Sequence, residues 1–122
     1  MSGPSMMEQI LDVTVRQVSA DTRILEAAGE IDHDSCGDLR QAISRALADG
    51  CHRLVLDLTQ VTFCDSGGLS TFVDAHRRTT AEGGWFRLAA PRRLVRDVLT
   101  ATNLDGYLVV RDTVDDALTA GS

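Results

Sequence analysis

The sequence predicts an α/β domain: a mixed sheet of four to five strands with about four helices packed on it. Three observations lead there. Near the start, apolar and polar residues alternate as in strands with one buried face, and later short apolar runs read as strands covered on both sides. Between those runs, apolar residues recur at helical spacing.

Met1 to Glu8 includes Ser2, Gly3, Pro4 and Ser5 and has no periodicity, so residues 1–8 are expected to be a flexible start and residues 9–120 the domain. Leu11, Val13 and Val15 alternate with Asp12, Thr14 and Arg16, predicting a first strand with an inward face. Thr22 to Ala28 is its partner after a turn at Ser19 to Asp21. Gly29-Glu30-Ile31-Asp32 ends that strand, and Asp34 or Ser35 can cap a helix carrying Leu39, Ile43, Ala46 and Leu47 inward, with Gly50 as its stop. Arg53 to Leu58 predicts a strand in the middle of the sheet.

After a short connection, Ser66-Gly67-Gly68 opens a helix with Leu69, Phe72, Val73 and His76 on one face, ended by Gly83-Gly84. Trp85 to Ala89 is a further strand. Pro91 can start a helix whose stripe is Leu94, Val95, Val98 and Leu99. Tyr107 to Val110 is the last strand, and Asp112 or Thr113 caps a closing helix with Ala117 and Leu118 inward.

Composition narrows function. The chain has 122 residues, 43% of them hydrophobic, which suits one core. Its net charge of -6 opposes a nucleic-acid partner. No apolar run approaches the roughly 20 residues of a membrane span, and the start has no signal-peptide pattern, so a cytoplasmic protein without direct membrane insertion is expected. Cys36, Cys51 and Cys64 read as free thiols, and no metal spacing or nucleotide loop points to a cofactor.

The stretch from Val61 to Leu69 lies between a buried strand and a helix, where open α/β sheets commonly meet ligands and partners. Ser66 can present its hydroxyl outward, with Gly67 and Gly68 leaving room for another protein's active site. A serine before a helix is also a plain N-cap, worth about 1 kcal/mol, and these residues by themselves favour that reading. Asp32 divides between a partner surface and a turn or capping acid. Asp65 and Ser66 with His33, His52 and His76 lack the elbow of a serine hydrolase. Cys64 packs beneath the loop unless the helix end activates its thiolate, and Arg92, Arg93 and Arg96 make a basic helix face.

Gly29-Glu30-Ile31-Asp32-His33, Leu54-Val55-Leu56-Asp57-Leu58 and Phe63-Cys64-Asp65-Ser66-Gly67-Gly68-Leu69 together resemble the successive signatures of the STAS domain, and in particular its single-domain anti-sigma factor antagonists. The likeness runs from about Leu11 to Leu118. It implies a protein without catalysis of its own: the unmodified form binds an anti-sigma factor serine kinase and releases the sigma factor, phosphorylation of Ser66 abolishes binding, and a serine phosphatase reverses it. It also implies a partner surface at Asp32, His33, Asp65, Gly67, Gly68 and Leu69. A phosphate on Ser66 could rest on the free amides of the helix start. Family members usually carry Ser or Thr where this chain has Gly67. The alternative within the same family is a cytoplasmic subunit of a membrane transport complex.

Overall fold

The computed structural model describes residues 11–120, so the expected flexible segment at 1–8 lies outside the described residues. The elements are β1 (Asp12–Ser19), β2 (Thr22–Ile31), α1 (Cys36–Ala48), β3 (Arg53–Cys64), α2 (Ser66–Ala81), β4 (Trp85–Ala89), α3 (Arg93–Ala101), β5 (Val109–Arg111) and α4 (Val114–Thr119). They form one five-stranded sheet in the order β1-β2-β3-β4-β5. β1 is antiparallel to β2, and every later pair is parallel.

Each parallel pair needs a crossover, and the crossovers are α1, α2 and α3. All three bury their apolar residues in one core: Leu39 and Ile43 of α1, Phe72 and Ala75 of α2, and Val95 and Leu99 of α3 pack with Leu25, Leu54, Leu56, Phe86 and Leu88 of the sheet. On the opposite face Ile24, Val55 and Ala89 meet Ala117 of α4.

Several boundaries depart from expectation for identifiable reasons. β3 does not stop at Leu58 but runs on to Cys64. Its register against β2 slips between Glu26 and Ala28 and again between Gly29 and Glu30. Each slip is a bulge that adds a residue to β3, so burial falls on Leu58, Val61 and Cys64, every third residue, and the alternation that marks a strand disappears. β2 likewise continues through Gly29, whose φ of 119° only glycine adopts readily.

The last strand starts at Val109, because the amides of Tyr107 and Leu108 are spent on Leu104 in a tight turn. β1 lies at the sheet edge, and of its expected inward face Leu11 is buried while Val15 is 46% exposed. The buried stripe of α2 is Gly68, Thr71, Phe72, Ala75 and Thr79, with Leu69, Val73 and His76 only half-buried beside it. Thr71 and Thr79 can be buried because their hydroxyls donate to the carbonyls of Gly67 and Ala75 one turn earlier. In α3 the helix begins two residues after Pro91, and Leu94 is 53% exposed instead of joining the stripe.

Among the described residues no helix is long and apolar enough to cross a membrane.

Candidate functional site

Parallel pairing of β2 with β3 brings the carboxyl ends of two neighbouring strands to one rim, and Ile31 lies beside Cys64 in that register. The β2–α1 loop (residues 32–35) and the start of α2 therefore lie side by side.

Asp65 joins them. It caps α2 from an extended conformation, and its Oδ1 accepts from the amides of Gly67 at 2.8 Å and Gly68 at 3.3 Å. Its Oδ2 accepts from the amide of His33 in the other loop at 3.1 Å. One carboxylate thus satisfies orphan donors of a helix start and clamps the adjacent loop.

The capping role weighed for Ser66 therefore belongs to Asp65. Ser66 is the first residue inside α2, exposed, and its hydroxyl has no hydrogen bond among the described residues. The amides of Gly67 and Gly68, expected to help cradle a phosphate there, are occupied by Asp65, so a phosphate on Ser66 would share the helix start with a carboxylate.

The two glycines also serve a different end from the one expected. A Cβ on Gly67 would sit 2.8 Å from Cα of His33, and one on Gly68 would sit 2.5 Å from the Ile31 carbonyl oxygen and 2.6 Å from Sγ of Cys64. Their bareness lets the chain's own loop and strand close on the helix.

Asp32 is a turn acid in this geometry. Its Oδ1 accepts from the amides of Asp34 at 3.0 Å and Ser35 at 2.9 Å. The Ser35 amide, more than any other cause, holds its carboxyl below the ordinary carboxylate range. Ser35, at the start of α1, makes no side-chain cap; its hydroxyl donates instead to the Glu30 carbonyl, pinning the loop to β2. His33 is exposed, and Leu69 is half-buried against the core.

Cys64 is 2% exposed, and burial together with the Asp65 charge pushes its thiol up to about 12, which is the packing role and not the redox one. His52 precedes β3 at the far end of the sheet, and His76 packs its ring 4.9 Å from that of Tyr107, so neither lies beside Ser66. Arg96 pairs with Asp112 at 2.7 Å, and Arg92 donates to the Thr59 carbonyl, so those residues serve the surface of α3. Among the described residues no group of His, Cys, Asp or Glu is placed to hold a metal.

Sequence reasoning passed over Phe63, which is 40% exposed three residues before Ser66. Its signal is the bulge: without the slip after Gly29 an aromatic one residue before buried Cys64 would be assigned to the opposite, covered face of the sheet.

Known proteins share this fold. The STAS domain matches residues 13–117. A crystal structure of an anti-sigma factor antagonist from Mycobacterium paratuberculosis superposes with a TM-score of 0.82 at 31% identity, covering 98% of this chain and 97% of that one. A relative from Thermotoga neapolitana bearing the name of an anti-sigma factor antagonist is 35% identical over 72 residues, which are 59% of this chain and 64% of the relative. SpoIIAA in its unphosphorylated form shares the fold, with a TM-score of 0.75 at 23% identity over 88% of this chain and 93% of that one. Its Bacillus phosphorylated form has a TM-score of 0.68 at 22% identity, over 88% and 96%. The fold, the paired loops and the span of the match make this chain a member of the STAS domain family.

Proposed function

We propose that the chain is an anti-sigma factor antagonist that works as a binding switch and not as a catalyst. Its unmodified form binds an anti-sigma factor serine kinase and releases the sigma factor; phosphorylation of Ser66 ends that contact, and a serine phosphatase restores it. The observation that carries the reading is the pairing of an exposed, unbonded Ser66 hydroxyl with a clamp, Asp65, that fixes both loops around it. A kinase needs the first, and a partner that reads one shape needs the second.

Charge supplies the switch. Glu30 near the end of β2, Asp32 and Asp34 in the loop and Asp65 at the helix cap make this rim acidic, so a further negative charge there is repelled unless the partner sets a cation against it. Phosphoserine adds roughly -1.5 to -2 charge beside a carboxylate that already holds the helix amides. Trapping that dianion unpaired at an interface costs on the order of 3–5 kcal/mol, or roughly two to four powers of ten in affinity. Phe63 and His33 supply exposed contact area next to the switch, while Gly67, Gly68 and Asp32 set the shape of the loops.

The test is binding of purified wild type, Ser66→Ala and Ser66→Asp to a candidate anti-sigma factor kinase, with mass mapping of the product after ATP is added. Ser66→Ala should bind and stay bound, Ser66→Asp should bind poorly, and the phosphate should map to Ser66. Equal binding by both variants, or a phosphate on another residue, would defeat the proposal.

A further inference from the structure

Arg87 lies at the centre of β4, and with only 5% of its surface exposed it is among the few buried charged residues. Its side chain leaves the sheet on the α4 face. Nη1 donates to the Ala117 carbonyl at 2.9 Å, and the guanidinium lies 3.8 Å from the centre of the Trp85 ring. Nε has no partner among the described residues. No carboxylate pairs with it there either. The charges that act on it are those of Arg111 and Arg53, both positive, which add to burial in lowering its pKa from the ordinary arginine value.

A guanidinium buried among cations with an unmet donor is unfavourable unless an anion completes it. Space for one exists. Arg87 lines a cleft of about 480 Å³ together with Arg53, Trp85, Gly84, Leu118 and Thr119. Gly84 is bare because the His52 backbone packs against it, where a Cβ would strike the His52 carbonyl oxygen. The amides of Gly84 and Trp85 are already bonded to Thr79 and His52, so the charged donors the cleft offers are the guanidiniums of Arg87 and of Arg53, the latter also 4.0 Å from the Asp21 carboxylate. Two guanidiniums suit the charge and fork geometry of a phosphate dianion. The chain's net charge of -6 makes this concentration of cations a local feature and not a surface average.

We propose that this cleft binds a small dianion of the phosphate class, free or as the head of a small ester, held by Arg87 and Arg53. The site is separate from Ser66: Arg53 opens β3 and Cys64 closes it, which puts the two on the order of 30 Å apart at opposite ends of the strand.

Trp85 is the one tryptophan of the chain and lines the cleft, so its emission reports occupancy directly. The full chain is titrated with inorganic phosphate and, separately, with glycerol phosphate, against chloride at matched ionic strength. A saturable change with phosphate but not chloride is expected. A tighter response to glycerol phosphate assigns the site to an ester, and an equal one to free phosphate. Arg53→Ala removes an exposed partner without touching the core and should weaken the response about tenfold. Arg87→Lys, which keeps the charge but loses the fork, should weaken it as well. The proposal is overturned by no saturable change, by one that chloride reproduces, or by one unaltered in Arg53→Ala.

Discussion

A single carboxylate decides the shape of the site. Asp65 accepts from three amides in two segments, whereas the neighbouring Ser66 hydroxyl is bonded to nothing among the described residues. Asp65→Ala should therefore lower stability by about 1–2 kcal/mol, read as a fall in the urea midpoint. Ser66→Ala should stay within about 0.5 kcal/mol of wild type. Had Ser66 been the cap, that order would be reversed. Asp32 carries a pH signature. Its carboxyl is held low in the folded chain, so its stabilisation is complete above the unfolded carboxylate value of about 3.9 and is lost as pH falls through the lower folded value. Wild type should consequently lose more stability than Asp32→Asn between neutral pH and a pH below the carboxylate range, measured by denaturant midpoints. The thiols should separate too: half-exposed Cys36 reacts with a disulfide reagent in the native protein, while Cys64 waits for unfolding. At this scale the sequence made the positions of Asp65, Ser66 and the glycines readable, but not their roles. A cap one residue earlier than supposed, and glycines packed on their own loop, depend on how β2 and β3 align, which no local pattern encodes.

Among the elements, the bulged pairing of β2 with β3 sets the geometry of the rim. Leu58, Val61 and Cys64 were each visible as apolar, yet their three-residue spacing breaks the two-residue period of a strand, and the segment reads as a connection. The helices were more legible because 3.6-residue periodicity survives local irregularity, though α2 hides part of its buried face behind threonines that satisfy their own hydroxyls. Glycine substitutions separate packing from propensity. Gly68→Ala, meeting the Ile31 carbonyl and Cys64, should destabilise by about 1–3 kcal/mol, whereas Gly37→Ala in α1 meets nothing within 4 Å and should stabilise by about 0.5–1 kcal/mol. Gly67→Ser should destabilise as well, since His33 backbone stands where its Cβ would go. Thermal melts of the three variants check the ranking.

Across the whole molecule, the mixed sheet with four helices was legible because it follows from element order alone: two strands close in sequence pair antiparallel, and each later strand arrives by a helix that must cover a face. What order could not give is how unequally the faces are covered, with α1, α2 and α3 on one side and only the short α4 on the other. That asymmetry is what buries Arg87 beneath α4 yet leaves a cleft beside it. The strand order itself has a kinetic corollary. Because every strand bonds only to the one made just before and just after it, the sheet can be laid down in the order of synthesis, each new strand docking on a finished edge. An emerging chain of this kind never has to hold a slot open for a segment still inside the ribosome.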